Sequence, residues 1–211
     1  MRIVLLGSPG AGKGTQAKII SEKFDIPHIS TGDILRHEIK RGSELGKEAA
    51  GFVESGKLVP DRIIIEIIKN EISPGKSKNG FLMDGFPRNL KQAKMFSDLL
   101  DKLGIGLDKV ININVSKDEI IDRLGKRRSC SVCKSIFSIG NNDKDPKKCP
   151  KCNGDLIVRE DDKKEVIKNR LDVYESETRP LIDFYADKGM LVNIDGFGEE
   201  KEITKRILEV L

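Results

Sequence analysis

The sequence predicts an α/β fold: a doubly wound, five-stranded parallel sheet with two inserted subdomains. Three observations predict it. Short apolar runs alternate with longer stretches of helical periodicity, a glycine-rich loop joins the first run to the first helix, and two segments break the alternation. A chain of 211 residues suits one domain of moderate size with small insertions.

The predicted strands are residues 2–6 (RIVLL), 80–84 (GFLMD), 109–115 (KVININV) and 190–195 (MLVNID), with a weaker one at 27–30 (PHIS). Each is almost wholly apolar, as a strand covered on both faces of a parallel sheet must be. Helical patterns fill 14–24, 61–72, 89–103, 117–127, 163–187 and 199–211. Pro180 is expected to open a new helix within the fifth of these, because proline suits a first turn and not an interior. Gly189 suits a helix stop before the last strand. Residues 31–59 carry helical pattern and glycines without a clear strand, and residues 128–158 are polar, turn-rich and hold the cysteines. Both read as excursions from the sheet.

Charged residues make up 34% of the chain and nearly cancel, leaving a formal charge of +4. So small an excess suits local anion sites at least as well as nucleic acid. Residues 2–6 are too short for the apolar core of a signal peptide, and no stretch approaches membrane-spanning length. A cytoplasmic location is expected, where the four clustered cysteines stay reduced.

Gly7-Ser-Pro-Gly-Ala-Gly12-Lys13 follows the first strand and opens a helix, the context a phosphate-binding loop requires. Glycines let backbone N–H groups approach phosphate oxygens, the helix start adds positive potential, and Lys13 adds a full charge. The hydroxyl usual after the lysine is displaced: position 14 is glycine and Thr15 follows. Mg²⁺ would then be held mainly by substrate phosphates and water, with Asp84 at a strand end facing that water shell. The fold is therefore expected to be P-loop NTPase-like.

Ser30-Thr31-Gly32-Asp33 opens a helix with capping-box spacing, and Arg36 follows one turn later. Asp84-Gly85-Phe86-Pro87-Arg88 bends rigidly after a buried strand, at the carboxyl edge where ligands of α/β sheets bind. Arg88 is thereby aimed at the crevice of Lys13, and Gln92 offers a donor and an acceptor to a base edge. Arg123 and Arg127 are spaced to share a helix face, and Arg159 and Arg170 bracket the far side of the cysteine segment. The run Asp162-Lys163-Lys164-Glu165 can cap the next helix. His28 and His37 lack metal-spaced partners and are expected to be neither ligands nor bases.

The cysteines stand as Cys130-x₂-Cys133-x₁₅-Cys149-x₂-Cys152, a zinc-ribbon spacing. Four thiolates complete a tetrahedral shell and leave no open position, so the Zn²⁺ is expected to be structural. Iron or free thiols remain the alternatives.

Together, GSPGAGKGTQ, STGDILR, GKLVPD and DGFPR make the whole chain resemble the adenylate kinase family. The resemblance implies reversible phosphoryl transfer from MgATP to AMP, giving two ADP. It also makes the glycine at 14 part of the pattern. By resemblance, Gly10, Ala11, Gly12, Lys13, Gly14 and Thr15 hold the ATP phosphates, with Arg123, Arg127, Ile136, Phe137 and Gly198 around the rest of ATP. AMP would be held by Thr31, Arg36, the backbone of Lys57, Leu58 and Val59, then Gly85, Phe86, Pro87, Arg88 and Gln92. Arg159 and Arg170 would face both AMP and the transferred group. Lys13, Arg88, Arg123, Arg159 and Arg170 would carry catalysis. Residues 1–29, 60–125 and 163–211 would form the core, 30–59 an AMP-binding flap and 126–162 a zinc-bearing lid whose hinge Asp161 and Asp162 help to close. A monomer is the family expectation, with no nucleic acid or membrane partner. The alternatives are a kinase for UMP or CMP, or a nucleotide-switched zinc-ribbon that binds nucleic acid. The second lacks an aromatic stacking surface.

Overall fold

The structure is a computed structural model describing residues 1–73, 75–140 and 145–211. Residues 141–144, within the expected lid, lie outside the described residues. Five parallel strands form the main sheet: β1 (Arg2–Leu6), β2 (His28–Ser30), β3 (Phe81–Asp84), β4 (Lys109–Asn114) and β8 (Leu191–Asp195), in the order β2-β3-β1-β4-β8. These are the five expected runs, and the parallel sheet is as expected.

The two faces of the sheet are covered separately. Ala17 and Ile20 of α1 (Lys13–Phe24) join Ile203 and Ile207 of α9 (Glu200–Leu208) over Ile3, Leu5 and Ile111. On the other face, α4 (Asp61–Glu71), α5 (Leu90–Lys102) and α8 (Pro180–Asp187) bury Ile68, Phe96 and Tyr185 against Val4, Phe81 and Met83. Each such side chain contributes about 1.5–3 kcal/mol of burial, so this double core carries most of the stability.

Residues 31–59 form two packed helices, α2 (Thr31–Arg41) and α3 (Glu44–Glu54). Ser30 caps α2 by accepting from the Asp33 N–H at 3.3 Å, but the Asp33 carboxylate bonds Arg36 at 2.7 Å. The reciprocal half of the capping box is thus replaced by an ion pair. A complete capping box occurs instead at Glu199 and Glu202, at the start of α9.

α6 (Lys117–Lys126) ends one residue before Arg127, which turns extended and starts a strand. Arg123 and Arg127 therefore do not share a helix face. The cysteine segment forms a three-stranded antiparallel sheet with β5 (Arg127–Cys130) between β6 (Ile136–Ser138) and β7 (Leu156–Ile157). The sequence did not signal these strands, because runs of two to four residues carry no readable alternation. The stretch expected as helix over 163–187 is α7 (Lys164–Val173), a π-helical turn at Tyr174–Thr178, and α8, which Pro180 opens as expected. Asp162 does not cap α7, whose N-cap is Lys163 without a side-chain bond. Its fully buried carboxylate is held by Arg127 and Arg170 instead.

Candidate active site

The parallel register brings the site together. Leu5 of β1 pairs with Asp84 of β3, and Ser30 of β2 pairs with the same Asp84. The phosphate loop, the Asp84 carboxylate and the start of α2 therefore emerge side by side at the carboxyl edge. Gly10 and Gly12 adopt φ of 87° and 95°, the left-handed region that glycine enters without a Cβ penalty. Lys13 folds over the loop, donating to the carbonyls of Gly7 at 2.6 Å and Ser8 at 3.0 Å. An ammonium has three donors, so one remains for the crevice.

Lys13, Arg88 and Arg170 line one cavity with the phosphate loop. A second cavity is lined by Thr31, Arg36, Lys57, Leu58, Val59 and Gln92, together again with Arg88 and Arg170. A wide crevice then runs from Gly10–Gln16 past Asp84 to Arg123, Arg127, Ile136, Phe137, Arg159 and Gly198, with Arg88 and Arg170 on its wall too. Arg88 and Arg170 are thus common to all three.

Positive charge is concentrated here. Desolvation, reinforced by Arg88, Arg170 and Arg127 and opposed by Asp84, holds Lys13 down at about 8. Burial first, then Arg170, brings Arg88 down to about 10. Burial and Arg36 do the same to Arg159. Guanidinium groups stay protonated at these values, so the shifts describe a field that an anion would relieve.

The arginines are held by specific partners. Arg88 Nε donates to the Gly85 carbonyl at 2.8 Å, while the Thr178 hydroxyl donates to the Arg88 carbonyl at 2.7 Å. Arg170 reaches the Asp161 carbonyl at 2.8 Å and the Asp161 and Asp162 carboxylates at 3.1 and 3.2 Å. Arg127 Nε donates to Asp162 at 2.7 Å. Arg123 donates to Glu119 at 2.7 Å and to the Gly196 carbonyl at 2.9 Å. Arg159 donates to the Ser129 hydroxyl at 2.9 Å. Glu119 and Thr178 carried no motif, and only the folded chain reveals them.

Two residues sit differently from their sequence reading. Phe86 turns its ring into the core, edge-on to Phe96 at 5.2 Å, and lines none of the three cavities. His28 is drawn into the site's surroundings: its Nε2 lies 3.6 Å from the Asp84 carboxylate and is buried without a hydrogen-bond partner among the described residues. The register explains this, since His28 stands two positions before Ser30 on the strand beside Asp84. Thr31 donates to the Gly85 carbonyl at 2.8 Å, tying the start of α2 to the bend that carries Arg88.

The four cysteine sulfurs lie within 4.8 Å of one another, with Cys130 and Cys152 3.4 Å apart and Cys133 and Cys149 3.6 Å apart. Four sulfurs in a tetrahedral zinc shell lie about 3.8 Å apart, so the cluster fits such an ion. Cys130 Sγ accepts backbone N–H bonds from Val132 and Cys133, each at 3.4 Å, which favour a thiolate. The Ser135 hydroxyl and backbone N–H bring Cys133 down to about 6. Lys134 and Asn153, each directly after the second cysteine of a pair, both turn at positive φ, so the two knuckles are alike.

A crevice that joins two cationic cavities through shared arginines can hold two phosphorylated ligands end to end, which places the chain among P-loop phosphotransferases. The comparisons narrow this class. The Adenylate kinase family model matches residues 5–190. The adenylate kinase of Caldicellulosiruptor bescii is 49% identical over 214 aligned positions, covering 100% of this chain and 99% of its own. That of Methanothrix thermoacetophila is 49% identical over 211, covering 100% and 98%, and that of Acetivibrio thermocellus 47% over 212, with the same coverage. The chain belongs to the adenylate kinase family. Its substrates are ATP, taken with Mg²⁺, and AMP. No helix among the described residues is long and apolar enough to cross a membrane.

Proposed function

We propose that this crevice passes the terminal phosphoryl group of MgATP in line to the phosphate of AMP, with residues 30–59 as the AMP flap and 126–162 as a lid. The observation that carries the reading is the presence of Arg88 and Arg170 on the walls of both the wide crevice lined by Gly10–Thr15 and the cavity lined by Thr31 and Gln92. A transferring group must lie between donor and acceptor, and those two guanidiniums lie there.

In this reading the loop from Gly10 to Thr15, with Lys13, cradles the ATP phosphates, and Arg123 and Arg127 approach them from the lid side. Ile136, Phe137 and Gly198 border the nucleoside end. Thr31, Arg36, Lys57, Leu58, Val59, Gly85 to Arg88, and Gln92 surround AMP. Arg159 and Arg170 complete the clamp. Mg²⁺ supplies charge neutralisation to the phosphates of ATP, and Asp84 is the carboxylate suited to its water shell, since burial is outweighed by His28 and Lys13 and its carboxyl stays ionised. The AMP phosphate is already anionic at neutral pH, so no general base is required. Acceleration comes from positioning and from charge stabilisation as the phosphoryl group moves.

The four thiolates would hold structural Zn²⁺. The small lid sheet leaves Val132, Ile136, Ile157 and Val158 exposed, so burial alone stabilises it little and ligation supplies the rest. The location proposed is the cytoplasm, where cysteines that are to ligate a metal stay reduced. We take the working unit to be a monomer, as the family resemblance implies. A coupled assay with Mg²⁺, ATP and each of AMP, CMP, UMP and GMP tests the reading. AMP should give ADP fastest, and absence of ADP with AMP would overturn it.

A further inference from the structure

We propose that Asp61 is a specificity-determining positioning residue: it locks the Gln92 amide in one of its two orientations and so sets the acceptor pocket for an adenine edge. The inference rests on reading that pocket as the AMP site.

Gln92 lines the pocket and is itself almost fully buried. Its carboxamide oxygen accepts from the Arg88 backbone N–H at 2.8 Å, and its nitrogen donates to Asp61 Oδ1 at 2.9 Å. The same Oδ1 accepts from Asn89 Nδ2 at 3.3 Å, and Lys91 lies 3.0 Å from Oδ2. Asn89 caps α5 by accepting from the Gln92 N–H at 2.8 Å, so its amide is fixed as well.

An ionised carboxylate can only accept, and a backbone N–H can only donate. Rotating the Gln92 amide by half a turn would oppose oxygen to oxygen and N–H to N–H. Burial works against ionisation of Asp61, but the bonds from Gln92, Lys91 and Asn89 overcome it and keep the carboxyl low. At neutral pH it is therefore an acceptor only.

The locked amide keeps one N–H and one oxygen lone pair unspent. Adenine presents an amino donor beside a ring-nitrogen acceptor, the pattern a glutamine amide reads. Hypoxanthine reverses it, with a carbonyl acceptor beside an N–H donor. A rotated amide would match hypoxanthine, and Asp61 opposes that rotation alongside the Arg88 N–H. In this account Gln92 reads the base, and Asp61, together with the Arg88 N–H, sets which base it reads.

The test compares AMP with IMP as acceptors at saturating MgATP. In Asp61→Ala the preference for AMP over IMP, as a ratio of kcat/KM values, should fall about tenfold. KM for AMP should rise while kcat at saturating AMP and KM for ATP stay within about twofold. The isosteric Asp61→Asn can accept from or donate to Gln92, so it no longer opposes rotation itself; with the Arg88 N–H still in place it should show a smaller loss of preference, and it guards against misfolding of the alanine variant. Lys91→Met leaves the lock intact and should keep the parental preference. Adding Gln92→Ala to Asp61→Ala should cost no further preference. An unchanged preference in both Asp61 variants, a rise in KM without a change in preference, or additive effects of Asp61 and Gln92 would each overturn the inference. If the parent enzyme made no ADP from AMP, the acceptor-site reading would fall first and visibly, before any variant was compared.

Discussion

The Arg36 guanidinium lies 3.5 Å from the Asp161 carboxylate, so helix α2 and the segment returning from the cysteine sheet meet through an ion pair. Asp161 also takes Arg170 at 3.1 Å. One buried carboxylate thus joins the two excursions to the helix that bears a shared arginine. Burial opposes its ionisation, yet Arg170, Arg36, Arg127 and Arg159 overcome this and hold the carboxyl below its ordinary 3.8.

Asp161→Asn should lower stability by about 1–3 kcal/mol, since it removes the charged acceptor of two arginines. With the folded pKa depressed, the stabilisation is fully present above 3.8 and is lost as pH falls through the lower folded value. Urea unfolding as a function of pH should therefore show the difference between parent and variant at neutral pH and its disappearance in acid. A constant difference down to strong acid would contradict the assignment.

Arg88→Ala should lower kcat by about 10²–10³ while leaving the fold intact. The backbone of residue 88 keeps its bonds to Gln92 and Thr178 whatever the side chain. Arg88→Lys should recover only part, because a point charge cannot reproduce a planar fork. Steady-state kinetics decide this, and a near-normal kcat in the alanine variant removes Arg88 from the clamp.

Cys130→Ser should lower the melting temperature more than it lowers kcat at moderate temperature. Cys130 is buried and lies 3.4 Å from Cys152, so its loss opens the four-sulfur cluster without touching the phosphate crevice. A chelator of zinc should move the parent's melting temperature in the same direction and the variant's far less. A folded variant with a large kcat deficit would point to a metal with a catalytic task.

Nucleotide binding should take up a proton near pH 9. Lys13, at about 8 against an ordinary 10.5, is largely neutral there, and bound phosphates favour its charged form. For the ligand-free protein, the cost of charging Lys13 is fully present below about 8 and fades as pH rises toward 10.5, so this group makes stability rise with pH across that window. Calorimetric titration with ATP in two buffers of different ionisation enthalpy measures the uptake, which Lys13→Met should abolish.

The five strands, the phosphate loop, the bend at Gly85–Arg88 and the cysteine cluster were legible from residue order alone. Each depends on local chemistry: apolar runs bury on both faces, glycines permit φ near 90° at positions 10 and 12, and paired cysteines at fixed spacing converge on one point. What only the tertiary structure decided is which polar groups face each other. Asp162 looks like a helix cap in sequence but spends its charge on Arg127 and Arg170. His28 looks inert until the sheet register sets it beside Asp84. Asp61, thirty-one positions before Gln92, holds that amide only because α4 and α5 pack side by side. Periodicity and turn chemistry act over a few residues, so a sequence displays them directly. Charge pairing acts across space, over distances along the chain that folding alone closes.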